Sequence, residues 1–268
     1  MSGGNSQIHP SAFRWLRNFS EGVLGLLYPR NCVSCEIPLS ADGRRWLCEA
    51  CEARLHRIEP PFCEVCGQTY EGVINSFFRC GNCNDLDIGF DFAMGAYRNE
   101  GLARELIHRF KYQREHHLCA PLGHLLADVL EEERIAASLA EGESWLVVPV
   151  PLHRRRLRER EYNQATELSR VLNRLAAARG IAMPVVNALC RTRYTRRQAS
   201  LDRTDRLTNL KGAFALTKSD RLRRLVEGQS VLLVDDVLTT GATASECARI
   251  LRTDGGASKI VVITVVRG

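Results

Sequence analysis

"VLLVDDVLTTGATASECARIL" occupies residues 231–251, and its reading decides the fold. Val231, Leu232, Leu233 and Val234 form an apolar run of the kind buried on both faces of a sheet. Asp235 and Asp236 follow, placing two like charges at the strand's end. Thr239, Thr240, Gly241, Ala242 and Thr243 then lead into a helix carrying Cys247, Ile250 and Leu251. A helix N-terminus offers unpaired N–H groups and a partial positive charge, glycine lets the backbone come close, and three hydroxyls add donors. Such a turn is a phosphate cradle. Two carboxylates beside it would repel a bare phosphate, so the ligand must also present hydroxyl donors. A sugar phosphate satisfies both demands, with its phosphate in the turn and vicinal hydroxyls on the acids. A P-loop is excluded because no lysine closes the turn. The paired aspartates that hold Mg²⁺ in phosphorelay receivers lack the Thr-Thr-Gly-x-Thr turn.

The sequence around this stretch alternates strand and helix from residue 91 onward. "FAMGAY" reads as a strand, "EGLARELIHRFKYQ" as a helix with Leu102, Leu106 and Phe110 near one face, and "LGHLLADVLEEERIAA" as a second helix. "WLVVPV" is a short apolar strand. "NQATELSRVLNRLAAARG" is a helix whose stripe is Ala165, Leu168, Val171, Leu172 and Leu175, ended by Gly180. "MPVVNALC" and "KIVVITVV" are further strands. This alternation implies a mostly parallel sheet with helices on both faces, whose ligands sit at the C-terminal strand ends. The rule points to two turns, one after Val150 and one after Val234.

Before residue 84 the chain has a different texture. Eight of its eleven cysteines fall in four pairs of identical spacing: Cys32 and Cys35, Cys48 and Cys51, Cys63 and Cys66, Cys80 and Cys83. Two thiolates separated by two residues can point at one ion from a tight knuckle, and two knuckles complete a tetrahedral site at Zn–S ~2.3 Å. Twelve residues separate the first two pairs and thirteen the last two, which suits a small ribbon in each case. Two structural zinc sites formed by neighbouring pairs are expected, although a crossed arrangement would use the same knuckles. Disulfides would need an oxidising compartment, for which the N-terminus gives no sign. Cys119, Cys190 and Cys247 sit alone in apolar surroundings and read as core residues.

The 268 residues suffice for one sizeable core or two modest domains. Residues 1–30 read as a leader holding an amphipathic helix over 13–28 that packs on the protein, 31–90 as a double zinc ribbon, and 91–268 as the α/β domain. No apolar stretch near the start approaches the ~20 residues of a membrane span, and no cleavage site follows, so the chain reads as cytoplasmic. The net charge of +6 conceals an asymmetry: residues 151–224 carry 19 Lys/Arg against 6 Asp/Glu, a net of +13, while the remainder nets −7. A basic block in an otherwise acidic chain favours an anionic partner at one place.

"VLLVDDVLTTGAT" resembles the signature with which type I phosphoribosyltransferases bind 5-phosphoribosyl 1-pyrophosphate (PRPP). With "VVPVPLHRRRLREREYNQATELSR", "RTRYTRRQASLDRTDRLTNLKGAF" and the four knuckles, the chain resembles the ComF/GntX family of competence-associated proteins over nearly all residues past 30. The resemblance implies a zinc-ribbon module followed by a phosphoribosyltransferase fold. By it, Asp235 and Asp236 would hold the ribose hydroxyls and act in catalysis, and Thr239, Thr240, Gly241, Ala242 and Thr243 would hold the 5′-phosphate. Pro151, Leu152 and Arg154 would face pyrophosphate, and Lys111 matches a family lysine. Thr195, Gln198, Arg203, Arg206 and Asn209 match a hood region. Any reaction would displace pyrophosphate from PRPP with Mg²⁺ and arginines offsetting the leaving-group charge, for an acceptor that no motif names. The alternatives are a PRPP sensor without turnover or a single-stranded DNA-binding adaptor, with a competence helicase or other DNA-uptake proteins as partners. His153 would be a phosphate contact or a solvated side chain. Two positions depart from the family: Glu161 stands where it usually has glycine, and Gln113-Arg114-Glu115 follows Lys111-Tyr112 where a glycine is common.

Overall fold

A computed structural model describes residues 31–39, 46–70, 72, 78–84, 88–194 and 210–268. The expected helix over 13–28 and the hood residues Thr195, Gln198, Arg203, Arg206 and Asn209 lie outside the described residues. The chain divides into two compact units between Ala53 and Arg54. The first contains the Cys32/Cys35 and Cys48/Cys51 knuckles and the short helix α1 (Glu49–Glu52). The second contains everything else, including the remaining knuckles and the short helix α2 (Gly81–Asn84).

Four strands make a wholly parallel sheet in the order β1-β6-β5-β2: β1 Phe92–Arg98, β2 Trp145–Pro149, β5 Ser230–Leu238 and β6 Lys259–Arg267. Each is buried almost throughout, which accounts for the continuous apolar runs in place of alternation. A two-stranded antiparallel ribbon, β3 (Leu189–Arg191) with β4 (Phe214–Leu216), stands apart. The helices are α3 (Gly101–Tyr112), α4 (Cys119–Ala127), α5 (Glu133–Ala140), α6 (Arg154–Arg160), α7 (Gln164–Ala178), α8 (Asp220–Val226) and α9 (Ala242–Thr253). α7 packs on α4, β2 and β5, whereas α9 packs on β4, β5 and β6. The chain leaves β2 outward, toward a segment at Val185, and leaves β5 in the opposite direction, toward β6. Right-handed crossovers running in opposite directions lie on opposite faces, so a crevice opens between the C-terminal ends of β2 and β5.

Three elements differ from expectation. The stretch expected as one helix over 122–137 breaks into α4, a 3₁₀ turn (Asp128–Glu131) and α5. Glu132 makes the break: its backbone is extended and its carboxylate accepts from the N–H groups of Arg134 and Ile135, starting a new helix. "MPVVNALC" is no full strand. Only Val185 bridges β2, through Val147, before the chain turns at Ala188 into the ribbon. Pro184 has no N–H to give a ladder there. Finally, β5 does not stop at Val234 but continues to Leu238, still paired with β6.

Of the isolated cysteines, Cys247 is fully buried, whereas Cys119 and Cys190 are only partly so. In α7 the predicted stripe is buried except Leu175, whose place inside is taken by Ala176.

Candidate functional site: a cleft between β2 and β5

The extension of β5 sets the geometry. β2 ends opposite Val234, so from Asp235 onward β5 is paired only with β6 and its other edge faces the crevice. Side chains alternate across a strand. Asp236 follows Leu232 and Val234 to the face of α3, where Lys111 Nζ meets its carboxylate at 2.8 Å. Asp236 is only 5% exposed. Asp235 follows Val231 and Leu233 to the other face, toward Cys247 and Arg191. Burial, then the neighbouring Asp236 charge, push the Asp235 carboxyl up to about 7 against the pull of Lys111. Its Oδ1 accepts from the Asp236 N–H at 2.9 Å.

Beyond Leu238 the chain bends through Thr239 and Thr240 to Gly241, whose φ of 78° is left-handed and suits glycine. α9 starts there with no side-chain cap, so its first N–H groups point into the crevice. Thr240 Oγ1 is buried with no partner. The crevice is a cleft of about 530 Å³ lined by Lys111, Pro151, Leu152, Asp235, Asp236 and residues 239–243. Of the residues singled out by sequence for this ligand, only Arg154 does not line it; that side chain is exposed on the outer side of α6.

Besides Lys111, the cations that line the cleft are Arg156, Arg160 and Arg191. Arg156 and Arg160 share a helix face four residues apart, while Arg154 points elsewhere. Knowing that α6 begins after His153 would have fixed this phase. Arg156 Nη2 is buried without a partner. Arg160 Nη1 donates to Gln164 Oε1 at 3.1 Å. Burial and the Arg156 charge hold Arg191 below its ordinary range. A guanidinium stays protonated in a protein, and the Asp235 charge pulls against this repulsion. His153 caps α6, its Nδ1 accepting from the Arg155 N–H. Partial burial and the charges of Arg191, Arg154, Arg155 and Arg156 lower its pKa, which keeps the ring neutral and available as an acceptor.

The eight paired cysteines converge as two quartets, Cys32/Cys35/Cys48/Cys51 and Cys63/Cys66/Cys80/Cys83, with sulfurs within 4.8 Å of one another. The sequential pairing is the one observed. Contacts of 3.6 Å join Cys35 to Cys48 and Cys66 to Cys80. A tetrahedral ion at Zn–S ~2.3 Å places its sulfurs about 3.8 Å apart, whereas a disulfide requires about 2.05 Å. The quartets therefore fit structural zinc. Burial opposes ionisation of Cys63, but N–H donors of Cys80, Cys66 and Val65 prevail and bring it to about 7. Burial and the Cys66 charge push Cys83 the other way. Four thiolates this close need a cation. Among the described residues no third carboxylate or imidazole joins Asp235 and Asp236, and Lys111 takes that place.

An open parallel sheet whose ligand crevice holds an acid pair and an uncapped glycine turn, joined to four-cysteine sites, is the phosphoribosyltransferase-like class expected from the sequence. Comparison with known proteins adds four findings. The family described as "Double zinc ribbon domain" matches residues 23–84. The chain is 32% identical to Competence protein F of Haemophilus influenzae, over 82% of this chain and 90% of that protein. It is 31% identical to the DNA utilization protein YhgH of Escherichia coli K12, over 87% and 95%. A solved hypoxanthine phosphoribosyltransferase from Staphylococcus aureus aligns with a TM-score of 0.30 and 12% identity, over 54% of this chain and 64% of that one. The chain belongs to the competence protein F (ComF) family. Among the described residues no helix is long and apolar enough to cross a membrane.

Proposed function

We propose that the cleft binds PRPP, and that the protein serves DNA uptake or utilization, the role that the names of its relatives carry. The observation that carries this reading is the joint placement of two acids, an uncapped helix start and three arginines around one cleft. The 5′-phosphate takes the N–H groups of residues 241–243 and the buried Thr240 hydroxyl. Asp235 and Asp236 accept from the ribose hydroxyls, and Lys111 orients Asp236 through its 2.8 Å contact. Pyrophosphate lies against the N–H groups of Leu152 and His153 and the guanidiniums of Arg156, Arg160 and Arg191, which are suited to several oxygens at once. Magnesium bound with the pyrophosphate would help to neutralise its charge. Where turnover occurs, the arginines offset the charge building on the departing pyrophosphate. The acceptor is unassigned, and a PRPP sensor uses the same contacts.

Calorimetry with PRPP and Mg²⁺ tests the site. Asp236→Asn is expected to weaken binding by about tenfold or more, as for a hydrogen bond to a charged group; equal affinities would refute the assignment. A screen for pyrophosphate release with nucleobases and amines separates enzyme from sensor.

A second reading rests on its own observation. The Arg155 guanidinium lies 5.3 Å from the Tyr194 ring and that of Arg160 lies 5.2 Å from Tyr112. Both rings are exposed, 41% and 55%. Exposed aromatics set among arginines along one helix provide stacking and charge for single-stranded DNA. A salt titration of DNA binding in the Tyr194→Ala and Arg155→Ala variants checks it; an unchanged affinity and salt slope would remove α6 from that interface.

A further inference from the structure

We infer that the second four-thiolate site is mechanically part of the ligand cleft, and that Arg267 is the positioning residue that joins them. Arg267 ends β6, with only 7% of its surface exposed. Its Nε donates to the Cys66 carbonyl at 2.8 Å and its Nη2 to the Cys66 sulfur at 3.4 Å. Its Nη1 reaches the Leu238 carbonyl at 3.3 Å and also a Gly268 oxygen. None of these partners is an acidic side chain.

A buried guanidinium is costly unless its N–H groups and its charge are met. Leu238 and Gly268 oxygens meet Nη1, and the Cys66 sulfur, a thiolate once a zinc ion is held by the quartet, adds an anion at Nη2. Leu238 is the last residue of β5, immediately before the turn at 239–241 that opens α9. One side chain therefore grips a zinc ligand, by sulfur and carbonyl, and the hinge of the phosphate turn. The surroundings are shaped for it. A Cβ at Gly95 would stand 2.8 Å from the Cβ of Arg267, so glycine makes the room. The knuckle is fixed to β1 by the Ala93 N–H donating to the Val65 carbonyl at 2.8 Å. Phe90, in the same buried cluster as Cys63, Cys66 and Cys83, reaches to 3.8 Å of where a Gly241 Cβ would be. The first quartet lies in the other unit.

Loss of metal from Cys63/Cys66/Cys80/Cys83 should loosen the turn at 239–243, and by reciprocity anything that orders the turn should retain that metal. The inference names regulation of the cleft assigned above to PRPP, but its first readout needs no PRPP. Amide hydrogen exchange of residues 238–244 is measured on the intact protein, before and after chelation, and on Arg267→Met and Arg267→Lys with zinc content determined in each. In the wild type, removal of one zinc should speed exchange in this segment by about tenfold or more, the scale of losing hydrogen bonds to a charged group. Arg267→Met should show fast exchange with both zincs bound, and Arg267→Lys an intermediate rate. If Arg267→Met does not fold, chelation of the wild type and Arg267→Lys decide alone. Protection of 238–244 that is unchanged in a zinc-loaded variant, or by loss of the second-site zinc, overturns the inference. In a second arm PRPP should slow release of one zinc in the wild type and not in the variants. A wild type that fails to bind PRPP refutes the proposed ligand alone, since the exchange arm still stands or falls independently.

Discussion

Replacing Asp235 by asparagine should stabilise the ligand-free protein while damaging its site. Burial and Asp236 raise this carboxyl from 3.8 to about 7. A raised carboxyl pKa means that the folded protein holds the proton more tightly than the unfolded chain does. Wild-type stability therefore falls as pH rises from about 4 through about 7 and is level above that. Three units at 1.36 kcal/mol each give an upper bound of ~4 kcal/mol. Because Asp235 faces an open cleft and shares its titration with Asp236, about 1–3 kcal/mol is the expected penalty. The amide keeps an oxygen for the Asp236 N–H, so the 2.9 Å contact survives. Urea unfolding of both proteins at pH 4, 6 and 8 measures the effect. The variant should gain about 1–3 kcal/mol at pH 8 and little at pH 4, with PRPP affinity reduced about tenfold or more. A variant less stable than wild type at pH 8, or a gap that ignores pH, refutes the reasoning.

Arg156→Ala and Arg191→Ala should each weaken PRPP binding by about 10–100-fold, as expected for charge-assisted bonds to pyrophosphate, whereas Arg154→Ala should change it less than about threefold. Calorimetry gives the order, and an Arg154 effect as large as the others would contradict the assigned helix phase. Gly241→Ala meets the Phe90 ring at 3.8 Å and Leu238 at 4.0 Å, ordinary contacts, so its cost is the left-handed backbone, about 1–2 kcal/mol. Thermal unfolding should show a drop of several degrees, together with weaker binding of ribose 5-phosphate; an unchanged midpoint would mean that the turn relaxes freely.

The parts of this protein that could be read from sequence are those in which one local rule acts without competition. The Cys-x-x-Cys spacing admits few geometries, and the quartets form as written. Apolar runs such as 231–234 have no outlet except a buried strand. What could not be read depends on partners distant in the chain. β5 extends past its charges because β6 continues beside it, pairing Asp235 with Thr264 and Leu238 with Arg267. "MPVVNALC" has strand composition but meets β2 only around Val185, and its last two residues turn away to pair with β4. Arg156 and Arg154 are equivalent by composition and differ only in the phase of a helix whose start depends on a histidine cap. Arg267 carried no signal, since a basic residue closing an apolar strand reads as a solvated end.

Glycine would be the economical residue at Glu161, and its absence has a structural consequence. Glu161 adopts φ 70° and Arg114 φ 58°, left-handed values that cost on the order of 1–2 kcal/mol each for a residue with a Cβ. The two side chains meet at 2.8 Å while more than half exposed, and such a pair contributes at most about 1 kcal/mol. The ion pair alone does not offset the strain. What the turn at Glu161 secures lies immediately after it. The Tyr162 hydroxyl donates to the Phe110 carbonyl, the Asn163 amide donates to the Val150 carbonyl at 3.0 Å, and Asn163 Oδ1 caps α7 through the Ala165 N–H. Phe110 precedes Lys111, and Val150 precedes the turn at 151–153. The strained turn thus fixes the cleft's lysine and the turn at 151–153 relative to each other, and the Arg114–Glu161 pair ties the same two segments from outside. A charge replaces glycine here without placing a carboxylate in the cleft, because the Glu161 side chain is turned outward onto Arg114.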